Sequence, residues 1–513
     1  MNRRTFTRGL VLSPLAAKGW AFVPAATSAR VTIDPRQELG TIDRKIYGHF
    51  LEHVERVVYG GIFDPDSKLS DAYGIRQDVV AAIKEMGGAQ VLRWPGGNFA
   101  SYYHWKDGIG ARAQRPRRYD VTWKQWESNA YGTDEYLQTC KELGCDPFIT
   151  VNMGDGTVRE ACEWVEYTRL EHREPAVKIW GLGNEHYGAW QVGHYSPQEY
   201  GRKAQQFGHF MRTVSPDLRF VGVGHWTQEW NQGVLNECGE YLDWLTVHLY
   251  SHRFFLNGEN DFDSSVAASA FFERTLSDVA GQLDEYERKV KRSQPISLCL
   301  EEWNGRHLKK VAGKSGDGTL LREDPRNIVD ALFVAGVFHA CQRMASRVTM
   351  TNYVFLLNAH GPLMVYPEGI VKTALYDVFR LYSTLTQDVS IAAETSAESL
   401  STDVHQSGPD VRVTTSRIES VASRSVDGKK MTVSLINRYP DQSSKVSINL
   451  KNARLGPKYR MHQMTAPSLT AINTLSQPNT VRSHSSEHTI DGELSVLLPP
   501  ASITHLELTL ESY

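Results

Sequence analysis

Between residues 44 and 375, short apolar runs alternate with longer amphipathic stretches, and this alternation constrains the fold more than any other feature of the chain. Eight runs have strand character: Lys45–Phe50, Gln90–Trp94, Pro147–Asn152, Val177–Gly181, Arg219–Val223, Trp244–Leu249, Ile296–Leu300 and Val348–Val354. Between them lie helix-like segments such as Ile75–Met86, Thr133–Leu143, Thr157–Tyr167, Pro197–Val214, Phe271–Val290 and Asn327–Ala345. Ser196-Pro197 is a helix start, with serine as cap and proline in the first turn. Eight βα units in one run predict a closed parallel (β/α)8 TIM barrel. An open doubly wound sheet is the alternative, but no glycine-rich nucleotide fingerprint follows the first strand.

After about Ser383 the pattern changes. Met431–Asn437, Lys445–Leu450 and Ser495–Leu498 alternate or run apolar between turn residues, which predicts a C-terminal antiparallel β-sandwich. Val31–Gln37 offers that sandwich a further strand. Ser396–Arg424 and Gln477–Glu487 are polar and read as loops. The expected plan is residues 1–29 as an export signal, 30–43 as a strand joining the sandwich, 44–382 as the barrel and 383–513 as the sandwich.

The signal is read from Arg3-Arg4, the mostly apolar run Gly9–Ala26 and the small residues Thr27-Ser28-Ala29. The paired arginines suggest the twin-arginine type, and so an exported protein, periplasmic or extracellular. No other run of about twenty apolar residues predicts membrane insertion. The 56 basic and 59 acidic residues leave a net charge of -3, which gives no reason to expect nucleic acid as a partner. The six cysteines form no CxxC pair and no zinc-ribbon spacing, and Cys299 sits in an apolar run where a buried thiol is expected.

In such a barrel, chemistry sits at the carboxyl ends of the strands. The fourth candidate strand ends Gly183-Asn184-Glu185, and the seventh ends Glu301-Glu302-Trp303-Asn304. Two carboxylates facing one opening are what glycoside hydrolysis requires: one protonated to donate to the leaving oxygen, one ionised to attack. The second strand ends Leu92-Arg93-Trp94-Pro95-Gly96-Gly97-Asn98, so Arg93 is placed to keep Glu302 ionised. The sixth ends Val247-His248-Leu249-Tyr250; Tyr250 is placed to donate to the nucleophile and His248 to set the protonation of Glu185. Any one of these residues is more often a cap or a structural ion pair, and Trp94 and Trp303 suit packing at the barrel top better than they suit sugar contact. The coincidence of all of them at strand ends carries the reading.

One rival motif is present. His49-Phe50-Leu51-Glu52-His53 fits H-x-x-E-H, an inverted zinc-peptidase pattern that needs both histidines on one helical face. It follows a strand-like run and precedes poor helix material, which counts against that reading.

Several longer stretches resemble glycoside hydrolase family 51, the α-L-arabinofuranosidases. They are Tyr47–His53, Arg93 through Gly110, Gln114-Arg115-Pro116, Gly132–Glu135, Gly183-Asn184-Glu185 with Trp190–His194, Glu302-Trp303-Asn304 and Leu498-Pro499-Pro500. The resemblance covers about residues 31 to 510. It implies a retaining mechanism with Glu185 as acid/base and Glu302 as nucleophile, and needs no metal or organic cofactor. Glu52, Arg93, Asn98 and Asn184 match residues that hold the sugar or orient the carboxylates. Tyr250 matches the tyrosine beside the nucleophile, and Trp123 an aromatic flanking the leaving group. Trp303, His248 and Phe355 join the expected substrate-binding set. The implied substrate is an arabinose-containing oligo- or polysaccharide, arabinan or arabinoxylan fragments, and the implied assembly a homo-oligomer, often a hexamer.

The sequence departs from the family pattern at Glu301, usually aspartate, and at His186-Tyr187, where Met-Asp is common. Gly305 replaces a larger residue, and Phe355 stands where a glutamine often touches the sugar. These changes lie around the substrate, where they bear on the sugar and the linkage and not on the catalytic pair. A β-xylosidase, an endo-β-glucanase and a non-catalytic carbohydrate-binding protein therefore stay open as alternatives.

Overall fold

The computed structural model describes residues 27–172, 174–255, 261–310, 318–324 and 326–512. Of the expected export signal, residues 1–26 lie outside the described residues, and Thr27–Ala29 open the N-terminal strand Thr27–Thr41.

Eight parallel strands close on themselves: β1 (Gly48–Phe50), β2 (Val91–Trp94), β3 (Asp146–Val151), β4 (Ile179–Leu182), β5 (Arg219–Gly222), β6 (Leu242–Phe255), β7 (Ser297–Lys310) and β8 (Val348–Tyr353). Each pairs with the next, and β8 pairs back to β1. A helix follows each strand in turn: α1 (Gln77–Glu85), α2 (Thr133–Leu143), α3 (Val158–Leu170), α4 (Pro197–Val214), α5 (Gln228–Cys238), α6 (Phe262–Val290), α7 (Ile328–Arg343) and α8 (Ala374–Leu385). This is a TIM barrel. Its strands are buried on both faces, which is why they read as apolar runs. Val91, Phe148, Ile179, Val221, Trp244, Cys299 and Met350, one from each of β2 to β8, form the plug inside it. At the start of α4, the Ser196 hydroxyl accepts from the Glu199 amide, while Glu199 reaches back to the cap.

Three departures from the sequence expectation matter for the site. The first half of the run Lys45–Phe50 is a 3₁₀ turn, Arg44–Tyr47, because Asp43 caps it by accepting from the Lys45 amide. Strands β6 and β7 run on to Phe255 and Lys310, well past the expected ends, and pair along that whole length as a parallel ribbon above the barrel rim. The register of β7 against β6 slips between Leu300 and Glu302, a β-bulge.

The second domain is a nine-stranded sheet. Its order is Arg482–Thr489, Arg454–Thr465, Ser502–Ser512, Lys430–Asn437, Ile418–Arg424, Val389–Ser396, Thr27–Thr41, Ser444–Leu450 and Leu494–Leu498. All neighbours are antiparallel except Thr27–Thr41 with Ser444–Leu450, which are parallel. Val31, Ile33, Val433, Leu435, Val446 and Leu506 are among its core. The two polar stretches read as loops contain strands. Ser399–Val404 and Val411–Ser416 form a hairpin, Ile418–Arg424 is buried throughout, and Arg482–Thr489 is an edge strand. Their polarity misled because the polar groups have partners: Arg424 donates to the Pro35 carbonyl at 3.0 Å, and Glu419 is clasped by cations.

That clasp joins the domains. Buried Glu419 meets Arg343 of α7 at 2.7 Å and is ion-paired with buried Arg438, which also donates to the Val266 carbonyl of α6 at 2.9 Å. Burial alone would push the Glu419 carboxyl up, but Arg438 and Arg343 outweigh it and hold it well below the usual range. Arg438→Met takes one of the two arginines from buried Glu419 and leaves Arg343 alone to balance its charge. It is expected to destabilise the protein by about 3–5 kcal/mol, read as a lowered midpoint in chemical denaturation. A midpoint equal to wild type would mean that the clasp contributes nothing.

Candidate active site

Glu302 lies in β7, just after the bulge. Its Oε1 accepts from Arg93 Nη1 at 2.6 Å, and its Oε2 accepts from the Tyr250 hydroxyl at 2.7 Å. Arg93 is fully buried and divides its fork three ways: Nη1 to Glu302, Nη2 to Asn184 Oδ1 at 2.7 Å, and Nε toward Glu301 Oε1 at 3.1 Å. Burial works against its charge, but the carboxylates of Glu301 and Glu302 more than offset this and keep the guanidinium protonated. Asn184 passes the link on, with Nδ2 donating to Asn98 Oδ1 at 3.3 Å. Gly97 has no room for a side chain, since a Cβ there would sit 2.6 Å from Glu302 Oε1.

The bulge explains why two successive acids serve one site. In a regular strand Glu301 and Glu302 would face opposite sides. Here both reach Arg93, and Glu301 Oε2 also meets His248 Nε2 at 2.9 Å. The same slip turns Trp303 away. Expected to touch substrate, Trp303 is instead fully buried against Phe338 and Tyr353, with Nε1 donating to Thr351.

Glu185 follows β4 with a left-handed backbone (φ 43°), after Gly183 at φ 79°. A Cβ on Gly183 would strike His186 at 2.2 Å, so the turn that presents Glu185 requires glycine. Three groups hold the carboxylate. His248 Nδ1 and the Tyr187 hydroxyl meet Oε1 at 2.8 and 3.1 Å, and Trp190 Nε1 donates to Oε2 at 3.0 Å. Burial raises Glu185, but the hydrogen bond and charge of His248 outweigh it and bring the carboxyl down to about 2. Burial acts to lower His248, but the charge of Glu302 and its bonds to Glu185 and Glu301 raise it to about 10. Glu185 and His248 thus hold one proton between them, resting on the imidazole in the open site.

Glu52 lies in the turn after β1. Its Oε1 accepts from the amides of Gly97 and Phe99 and from Trp123 Nε1, at 3.1, 3.3 and 3.1 Å. Burial, then the charge of nearby Glu302, pushes its carboxyl up to about 8. The zinc-peptidase reading of this segment fails on geometry. His49 is buried in β1 against Phe379, and His53 is held between Glu127 at 3.0 Å and Trp94 at 3.0 Å. The two histidines share no helical face.

Two cavities meet at Glu185. A small one of about 90 Å³ ends on Glu302, with Glu52, Trp123 and Phe355 in its walls. A larger one of about 470 Å³ lies on the Trp190 and Trp226 side. Asn98, Glu185 and Tyr250 line both. Trp123, expected to flank the leaving group, thus faces the smaller cavity, drawn there by its bond to Glu52. Phe355 presents an aromatic face to that cavity and stacks on Phe50 at 5.4 Å. Tyr187, Trp190 and Glu301 were absent from the expected catalytic set. The stretch beginning at Trp190 was a visible signal; the inward turn of Glu301 had none, since it depends on the bulge.

The chain matches the family model of the α-L-arabinofuranosidase 1 domain over residues 82–266 and that of the α-L-arabinofuranosidase C-terminal domain over residues 301–502. It is 34% identical over 369 residues to an intracellular exo-α-(1→5)-L-arabinofuranosidase of Streptomyces lividans, covering 67% of this chain and 55% of that one. It is 32% identical to α-L-arabinofuranosidase C of Emericella nidulans, covering 73% and 78% of the two chains. The arabinose-bound crystal structure of the Thermotoga maritima α-L-arabinofuranosidase superposes with a TM-score of 0.85 at 33% identity, over 94% of this chain and all of that one. A paired-carboxylate site on this barrel, with these relatives along its length, means that the chain belongs to the α-L-arabinofuranosidases of glycoside hydrolase family 51.

Proposed function

We propose that the protein is a retaining, exo-acting α-L-arabinofuranosidase that releases single arabinofuranose units from arabinan or arabinoxylan fragments. One observation carries the mechanism: a carboxylate oxygen of Glu185 lies within 4.8 Å of one of Glu302. Retaining enzymes space their carboxyl groups about 5–5.5 Å apart, whereas inverting ones leave about 6.5–9.5 Å for a water. The cavity on Glu302, about 90 Å³ against about 470 Å³ for its neighbour, is too confined for a run of sugars, which supports exo action.

In this reading the arabinofuranose enters the small cavity with C1 facing Glu302. Glu302 attacks C1 as Glu185 gives the shared proton to the departing oxygen. A glycosyl-enzyme ester forms and the glycosidic C–O bond breaks. Glu185, now without that proton, takes one from water, and the resulting hydroxide equivalent displaces Glu302 from C1. Two inversions give net retention. The neutral form of Glu52 near pH 7 suits it to hydrogen-bond a sugar hydroxyl without adding charge beside the nucleophile. Asn184, which the resemblance matches to a residue that holds the sugar, would bond the 2-hydroxyl in this reading, a contact that strengthens in the transition state.

Turnover of a panel of aryl glycosides tests the sugar, and the anomer first released, followed by NMR, tests retention. Activity on β-D-xylopyranoside but not α-L-arabinofuranoside would overturn the glycone; first release of the β-anomer of arabinose would overturn the mechanism. Export rests on Arg3-Arg4 and the apolar run after them. Three relatives carry "intracellular" in their names, so cell fractionation of the full chain is the relevant test.

The Glu185–His248 pair gives a pH prediction. His248 is raised, so the pair keeps its proton until the pH passes that raised value, and the alkaline limb of kcat/KM reports this loss. In His248→Gln, Glu185 must carry the proton alone, and a carboxyl without the imidazole releases it at lower pH. The alkaline limb should move toward acid by more than about one unit. A limb that stays in place would remove His248 from the proton store.

A further inference from the structure

Arg306 stands four residues beyond Glu302 on the ribbon formed by β6 and β7, and lines both cavities. Its guanidinium lies 3.6 Å from the centroid of the Tyr250 ring. Among the described residues no carboxylate pairs with it and no oxygen accepts a hydrogen bond from its side chain. The other pocket arginine, Arg322, is paired with Glu55 at 3.1 Å. In the larger cavity the charged side chains are Glu185, His248 and Arg306. Arg306 adds a second positive charge on the leaving-group side, near enough to Glu185 to help hold that carboxyl down, yet among the described residues no carboxylate takes up its donors.

A neutral leaving sugar does not need this. Trp190 and Trp226 already offer it aromatic faces, being 62% and 36% exposed. A stacked, preoriented guanidinium fork with unused donors matches a planar carboxylate, which it bonds in bidentate fashion. Ser407, at the tip of the hairpin from the second domain, adds a hydroxyl to the same cavity. That tip is fixed to the ribbon, with the His252 amide donating to the His405 carbonyl at 2.8 Å.

We propose that the sugar on the leaving-group side carries a carboxylate, a uronic acid residue, and that Arg306 receives it. This rests on the arabinofuranosidase reading and adds a substrate class to it: arabinofuranose borne on an acidic saccharide. The test uses two disaccharides of the same linkage, α-L-arabinofuranosyl methyl galactoside and α-L-arabinofuranosyl methyl galacturonoside, which differ only at C6 of the leaving sugar. The readout is the ratio of their kcat/KM values. Wild type should favour the galacturonoside by on the order of tenfold. The preference should shrink as salt is raised. Arg306→Gln should abolish it, and Arg306→Lys should keep part of it. Inhibition of aryl arabinofuranoside hydrolysis by methyl galacturonoside, against methyl galactoside, reads the same contact without cleavage of either disaccharide. A wild-type ratio near one, or a ratio unchanged in Arg306→Gln, would overturn the proposal. Turnover of 4-nitrophenyl α-L-arabinofuranoside in the same assay separates the two readings. If it proceeds while neither disaccharides nor inhibitors discriminate, only the carboxylate proposal falls; if it is absent, the arabinofuranosidase reading falls and takes the proposal with it.

Discussion

Glu302→Ala is expected to lower kcat/KM on an aryl arabinofuranoside by on the order of 10⁴–10⁶-fold, the scale seen when a catalytic nucleophile is removed. The loss has two parts. In the proposed mechanism C1 then has nothing to attack it, because the carboxylate assigned that role, one of three lining the small cavity, is gone. The Arg93 Nη1 and Tyr250 hydroxyl donors, aimed at Glu302 from 2.6 and 2.7 Å, are left facing a void. That void also makes the outcome diagnostic. Azide can enter it and attack C1 once from the same face, so the product should be the β-arabinofuranosyl azide. Turnover within about tenfold of wild type would take the nucleophile role away from Glu302.

Glu185→Ala should behave differently because, in the proposed mechanism, it removes a proton donor rather than a bond former. With a poor leaving group the rate should fall by about 10²–10⁴-fold. With 2,4-dinitrophenolate, which departs without protonation, glycosylation should change little and hydrolysis of the glycosyl-enzyme should become limiting. Azide should then speed turnover by attacking that intermediate on the Glu185 side, giving the α-azide. The pair of variants yields opposite anomers, and the same anomer from both would break the assignment. The alkaline limb should also vanish in Glu185→Ala, since the proton shared with His248 at 2.8 Å no longer has a route to the leaving oxygen. Equal losses for good and poor leaving groups would count against the acid role.

The barrel was legible because its signal is local. Each parallel strand is buried on both faces and each helix on one, so the period of the apolar pattern changes with every element. Glu185, Glu302 and Arg93 could be picked out because the barrel gives chemistry to strand ends, and strand ends can be counted. Ile418–Arg424 was missed for the converse reason. Its Glu, Ser and Arg look solvated, and only their partners in other elements make it a buried strand.

By itself, then, the sequence determined the element order, the closed barrel and the two carboxylates that meet above it. The tertiary structure decided how those carboxylates are used. It placed the β7 bulge that turns Glu301 inward and Trp303 outward, set the Glu185–His248 proton, turned Trp123 to the small cavity, and stacked Arg306 on Tyr250 with no carboxylate bonded to it among the described residues. These outcomes depend on contacts between residues tens to hundreds of positions apart and on a one-residue slip in register. Hydrophobic periodicity runs along the chain and holds no information about either.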